Sequence, residues 1–132
     1  MPETDSAQKQ LEKVAMDHDL AIEEMSVEFN KKLEDYNANY STYSDLVKAS
    51  KEAELQDMQK RIQAYQQNAE QDMQRQRMEL FQPIQEKAIS AVNEIAKEKG
   101  FTYVIDSGTG VLVFVADDAV DILPLVKIKL NL

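Results

Sequence analysis

The sequence predicts a mostly α-helical protein with a small β element: a long antiparallel helical hairpin, then a C-terminal β-hairpin body. No glycine or proline occurs between Glu3 and Gln82, and all three glycines lie at or after Gly100. Because these two residues interrupt regular structure most strongly, the stretch without them is expected to be helical. Apolar residues recur there with helical spacing, and β-branched and aromatic runs follow Gly100. The 132 residues are expected to form a single domain, 1–132.

The composition excludes several classes of function. The net charge of −9 disfavours a nucleic-acid backbone or an anionic membrane surface as the main partner. The chain has no cysteine, which rules out disulfides and thiolate metal sites. It also has no apolar run long enough to cross a membrane as a helix.

The apolar residues of the first segment follow an eleven-residue rhythm, which corresponds to about 3.67 residues per turn and hence to a nearly straight seam. The rows are Leu11, Ile22 and Leu33; Val14, Met25, Tyr36 and Val47; and His18, Phe29 and Tyr40. A second segment has rows of Met58, Ala69, Leu80 and Ala91, and of Ile62, Met73, Ile84 and Ile95. Two such stripes are expected to face each other.

We therefore predict a helical hairpin arm over residues 5–83, with a turn near residues 46–51 and Ser50 as the N-cap of the second helix. A long parallel coiled coil is the alternative. Pro83 should kink or split the second helix. A shorter helix, 84–99, would then belong to the body, 84–132.

Gly100 is expected to end that helix as the C′ residue. Strands are predicted at 101–106 and 111–115 on either side of the turn Asp106–Gly110, and a short helix at 121–131, with a terminal strand at 126–132 as the alternative. A two-stranded hairpin is marginally stable alone, and its apolar strand needs other strands or helices to pack against both faces. Because no further strand is predicted in this sequence, we expect another subunit to supply them through oligomerisation. The residues expected to build this oligomeric body are Phe101, Tyr103, Ile105, Val111, Val113, Phe114 and Val115.

Other apolar residues fall outside the seam, and they are the candidate binding residues. They could pack against a neighbouring subunit or the body, or they could form a surface for apolar clients, to which flexible methionine is well suited. The candidates for client binding are Met16, Leu20, Val27, Met78 and Phe81.

Catalytic and metal-binding patterns are scarce, so we expect no enzyme, no cofactor and no metal site. His18 is the only histidine and has a seam position, which favours a packed side chain over a ligand or catalyst. The segment from Asp106 to Thr109, DSGT, resembles the aspartic-protease motif, but those enzymes need two such carboxylates and it occurs once. A turn is the preferred interpretation.

Several segments, taken in order, resemble the Skp (OmpH-like) family of periplasmic chaperones, over nearly the whole chain. They are AELQDMQKRIQAYQQNAEQ at 53–71, LFQPI at 80–84, KAI at 87–89, GFTYVID at 100–106, VLVF at 111–114 and DILPLV at 121–126. The opening, MPET, is similar to the start of helix one in members from the Bacteroidetes lineage. The resemblance implies a periplasmic homotrimer whose helical arms surround a cavity. Unfolded outer-membrane proteins would be held there without ATP.

The chain departs from the family pattern in two respects. Members carry a short apolar strand before helix one, whereas this sequence begins with a polar segment, so the strand is expected to be missing here. The best-known members are basic, whereas this chain is acidic. At its expected tip the negative charges of Asp45 and Glu52 balance the positive charges of Lys48 and Lys51. Both features disfavour contact with a membrane.

Two other functions stay open: a structural or adaptor coiled coil, and a prefoldin-like chaperone with no outer-membrane role. Prefoldins place their β-hairpins between the two helices, whereas both strands predicted here follow the second helix. That order favours the Skp-like interpretation.

Overall fold

The computed structural model describes residues 1–110 and 112–132, which form three α-helices and two 3-10 turns. Helix α1 is Pro2–Asn39, α2 is Asp45–Lys99 and α3 is Leu123–Lys129; the turns are Tyr40–Thr42 and Ser107–Thr109. Two compact units divide the chain. We call Asp5–Glu79 the arm unit, and Met1–Thr4 with Leu80–Leu132 the terminal unit.

The two helices of the arm unit run antiparallel. Residues toward the end of α1 contact the start of α2, as in the ion pair between Lys32 and Glu54. Earlier residues of α1 contact later residues of α2, as in the 3.1 Å hydrogen bond between His18 and Tyr65. The absence of glycine and proline from 3 to 82 lets each helix run without a break through the arm.

The connection between the helices lies at residues 40–44, earlier than the predicted turn at 46–51. Side chains close it: Thr42 Oγ1 donates to the Asn39 carbonyl at 2.7 Å, and Asn39 Nδ2 donates to the Asp35 carbonyl at 3.0 Å. Ser44 caps α2, because its Oγ accepts from the Val47 N–H at 3.4 Å. Ser50, the predicted cap, lies inside α2.

Helix α2 continues through Pro83, so the predicted separate helix 84–99 is the last part of α2. A proline inside a helix removes one hydrogen bond and crowds the carbonyl four residues earlier, here that of Glu79. This local loss does not divide α2, which has 55 residues. The boundary between the two units follows Glu79.

Helix α2 ends as the sequence predicts, with Gly100 in the left-handed conformation at φ 70°. The Phe101 N–H donates to the Ala96 carbonyl at 3.0 Å and the Gly100 N–H donates to the Lys97 carbonyl at 3.2 Å. This pair of bonds is the Schellman motif, which favours glycine at C′ because a Cβ is strained there.

The predicted β-hairpin body is wrong: the described residues contain no strand. Residues 101–106 and 112–115 are extended or irregular, and Val111 lies outside the described residues. The turn between them is a 3-10 turn, in which Asp106 accepts from the Gly108 N–H at 2.8 Å. Aromatic and β-branched residues favour strands where they pack on a half-buried pleated surface. The described residues leave much of this segment uncovered, and Val113 and Phe114 are exposed.

Helix α3 packs on the end of α2 and forms the core of the terminal unit. Ala91, Ile95 and Val126 are buried together, and Val92, Ile122 and Leu130 pack around them. The helix lies within the predicted range 121–131, and the alternative strand at 126–132 does not form. Asp121 Oδ1 accepts from the Leu123 N–H at 2.9 Å at the start of α3.

Candidate functional site

The seam of the arm unit is formed by the residues with eleven-residue spacing. Leu11, Tyr36, Met58 and Ala69 are buried, while the other seam positions of α1 between Leu11 and Tyr36 are half-buried. The apolar residues of this segment therefore separate into an inner seam and an outer set. The outer set contains four of the five candidate client-binding residues: Met16, Leu20, Val27 and Met78.

Three of those candidates form an exposed row on one face of α1, which we call the α1 row. Met16 is 70% exposed, Leu20 56% and Val27 61%. Their spacing of four and seven residues places them on one side of a helix. Polar and acidic residues of the same helix surround them, including the exposed pair Glu23 and Glu24. The row is an apolar strip on an otherwise charged surface.

The other two candidates lie on α2 and belong to different units. Met78 is in the arm unit and is 65% exposed. Phe81 is in the terminal unit and is half-buried. Met78 thus resembles the α1 row in its exposure, whereas Phe81 offers less accessible surface.

His18 links the two helices of the arm. Its Nε2 lies 3.1 Å from Asp72 Oδ2, and its Nδ1 lies 3.1 Å from the Tyr65 hydroxyl. Because a carboxylate only accepts, Nε2–H donates to Asp72, and in the neutral ring Nδ1 accepts from Tyr65. Arg75 and then His18 hold the pKa of Asp72 below its ordinary value through hydrogen bonds. The side chain is packed and bonded, as the sequence predicts, and no nucleophile lies in this group.

An aromatic cluster fixes the tip of the arm. Tyr36 is buried, its ring lies edge-on to Tyr40 with centroids 5.5 Å apart, and it stacks on Tyr43 at 6.3 Å. Its hydroxyl donates to Glu52 on α2, and this hydrogen bond is the main reason why the pKa of Tyr36 rises to about 12. The cluster therefore closes the end of the seam.

The lysines of the tip are engaged with this cluster. Lys48 lies 4.1 Å from the Tyr40 ring centroid, and Lys51 lies 5.2 Å from that of Tyr43. Lys51 also pairs with Asp35 at 3.6 Å, and the Tyr43 hydroxyl donates to the same carboxylate at 3.2 Å. The tip thus pairs its positive charges locally.

One exposed apolar residue at the tip was not among those predicted from the sequence. Leu46, in the first turn of α2, is 83% exposed, and its neighbour Val47 is also exposed. The signal was available in the cluster of Asn, Ser and Thr at 37–44, since such clusters mark loops. Placing the turn there would have put Leu46 in the first turn of α2 instead of within the turn predicted at 46–51.

The residues predicted to build an oligomeric body remain largely exposed in the terminal unit. Tyr103 is 83% exposed, Phe114 80% and Ile105 59%, and Val113 is fully exposed; Val115 is exposed and Phe101 half-buried. Val111 lies outside the described residues. Most of these residues line a cleft of about 610 Å³ formed by 101–107 and 112–122. The structure brings them together without pairing them as strands.

Metal sites and membrane spans are both missing from the part of the chain that the structure describes. No group of His, Asp and Glu in residues 1–110 and 112–132 could hold a metal ion. None of the helices described is both long and apolar enough to cross a bilayer.

No curated protein gives a match to the chain. The family model described as "Outer membrane protein (OmpH-like)" matches residues 1–130, nearly the entire sequence. The chain therefore belongs to the OmpH-like family, in which the Skp-type chaperones are found.

Proposed function

We propose that this protein is an ATP-independent holdase that binds unfolded outer-membrane proteins and prevents their aggregation. Membership of the OmpH-like family suggests a periplasmic chaperone of the Skp type. The observation that carries the proposal is the α1 row: apolar side chains that stay 56–70% exposed although a buried seam runs along the same helix.

An unfolded outer-membrane protein supplies the complementary surface. Its strands alternate apolar and polar residues, so in water the unfolded chain exposes many separate apolar side chains. The α1 row can cover such side chains one at a time, and methionine adapts its shape to different partners. The negative net charge of −9 keeps a loaded complex soluble by repulsion between complexes.

The size of the α1 row indicates that one arm alone binds weakly. Full burial of one such side chain contributes about 1.5–3 kcal/mol. Burial of all three side chains contributes roughly 5–9 kcal/mol at most. Association offsets several kcal/mol of that free energy. Capture at micromolar concentration therefore needs several arms acting on one client, since linked weak sites raise the apparent affinity.

A homotrimer would provide those arms, and we assign the subunit contact to the terminal unit. Its exposed aromatic and β-branched residues, among them Tyr103, Val113 and Phe114, exceed what an isolated unit usually leaves uncovered. Family members oligomerise, which supports the same assignment. A client in the space between arms would be shielded from other clients. We place this activity in the periplasm, which outer-membrane proteins cross before they fold.

The holdase activity is tested by diluting a urea-unfolded outer-membrane β-barrel into buffer without nucleotide and recording light scattering. The native protein should suppress scattering. A variant with serine at all three positions of the α1 row should need several-fold more protein for the same effect. The matched control is Lys13→Ser/Glu24→Ser/Asn30→Ser, which changes three exposed positions of α1 and leaves the net charge unchanged. Absence of suppression by the native protein would contradict the proposal and favour a structural coiled coil.

The oligomer is tested by sedimentation equilibrium of the native protein. The expected mass is three times the chain mass of 15.1 kDa. Phe114→Ser should weaken the assembly, whereas Asp117→Ser, at an exposed polar position of the same segment that does not line the cleft, should not. A monomer at all accessible concentrations would contradict the trimer.

A further inference from the structure

The methionines of this chain differ sharply in exposure within the arm unit. Met16 is 70% exposed and Met78 65%, whereas Met58 in the seam is 8% exposed. Met25 and Met73 are half-buried. Met16 lies in the α1 row that the proposed function assigns to clients, and Met78, on α2, is a further candidate for client binding. Both side chains are open to solvent, and Met58 serves as a buried reference in the same two helices.

We propose that Met16 and Met78 are oxidation sites through which peroxide weakens client binding. The thioether sulfur attacks one oxygen of hydrogen peroxide, an S–O bond forms and the O–O bond breaks. The sulfur gives up two electrons, and the departing oxygen leaves as water. The product, methionine sulfoxide, is returned to methionine by sulfoxide reductases.

Exposure decides which methionines react, because the oxidant must reach the sulfur. The seam shields Met58, whose side chain is covered by the packing of α1 against α2. Cysteine, the usual competitor for peroxide, is absent from the sequence. Oxidation is thus directed to methionine, and within the arm to the two exposed side chains.

The consequence for binding follows from the polarity of the sulfoxide. A sulfoxide at an apolar contact loses the transfer free energy that the methionine contributed and must be desolvated instead. The arm itself keeps its fold, because neither Met16 nor Met78 is buried in the seam. This part of the inference rests on the proposed holdase function.

The first measurement is the oxidation rate of each methionine in the native, full-length protein, followed by peptide mass spectrometry during treatment with hydrogen peroxide. Met16 and Met78 should oxidise on the order of tenfold faster than Met58, as their exposure implies. Equal rates for the three residues, or protection of the two exposed ones, would overturn the inference. Protection would also show that a neighbouring subunit covers this face.

The second measurement is the ratio of aggregation suppression after and before peroxide, taken for each protein separately. The native protein and Met58→Leu should both lose several-fold in potency, while the double variant Met16→Leu/Met78→Leu should keep a ratio near one. Circular dichroism should show unchanged helix content in each case.

The outcomes separate the two proposals. If the untreated native protein suppresses aggregation and peroxide leaves its potency unchanged, the oxidation switch is refuted and the holdase function stands. If the untreated protein does not suppress aggregation, the holdase function fails and the switch fails with it, whereas the site-specific rates still test the selectivity of oxidation.

Discussion

Replacing Val126 with alanine is expected to release α3 from α2 and leave the two long helices intact. Val126 is 6% exposed and contacts the cluster of Ala91 and Ile95. The change removes two methyl groups, about 1.6 kcal/mol of transfer free energy, and leaves a small cavity that adds to the loss. The higher helix propensity of alanine offsets about 0.5 kcal/mol of this loss in stability. The net loss of roughly 1–2 kcal/mol corresponds to about a tenfold increase in the open population of α3.

Amide hydrogen exchange measures this population, because a seven-residue helix is not stable in water without its packing. Amides of α3 should exchange about tenfold faster in Val126→Ala, while those in the middle of α2 keep their rates. Lys129→Ala is the comparison: Lys129 pairs with Glu94 at 2.7 Å and Glu98 at 3.0 Å, but both carboxylates are more than half exposed. Solvent and salt weaken such pairs, so its effect should be smaller. An equal or larger effect of Lys129→Ala would refute the claim that apolar packing holds α3.

Three further predictions concern the arm. Ser44→Ala should destabilise the start of α2 by about 0.5–1 kcal/mol through loss of the cap, seen as faster exchange of the first-turn amides, whereas Ser50→Ala inside α2 should not. Tyr36 should titrate near the pKa of about 12 in a ¹³C-NMR titration, and Glu52→Gln should lower that pKa toward 10; a wild-type value near 10 would contradict the hydrogen bond. Because the pKa of Asp72 is lowered in the folded arm, its contribution to stability is present above its unfolded pKa and lost as the pH falls through the folded value. Asp72→Asn should therefore reduce the difference in urea midpoint between pH 7 and acid pH. An unchanged difference would contradict the claim that the Asp72 carboxylate stabilises the folded arm.

The helical arm could be predicted because its signals are local and repeated. Missing glycine and proline, together with eleven-residue spacing, define the helices and the seam, and the structure buries Leu11, Met58 and Ala69 accordingly. The same spacing separates the α1 row from the seam. Gly100 was predictable for an equally local reason, since a positive φ at a helix end strongly favours glycine.

The turn and the terminal segment could not be placed from the pattern alone. The turn contains no glycine and is closed by hydrogen bonds of Asn39, Thr42 and Ser44, whose side chains occur in many other contexts. The segment after Gly100 has strand-like composition, but strand formation depends on neighbouring strands and cover. In the part of the chain that the structure describes, residues such as Phe114, 80% exposed, have neither neighbouring strands nor cover.

Methionine methyl NMR tests most directly whether unfolded clients bind the exposed apolar side chains of the arm. Each methionine reports separately in protein labelled at the methyl carbon, in the presence and absence of an unfolded outer-membrane β-barrel. The signals of Met16 and Met78 should shift or broaden, while that of Met58, 8% exposed, should not. Unchanged signals at Met16 and Met78 with a client demonstrably bound would contradict binding at these side chains.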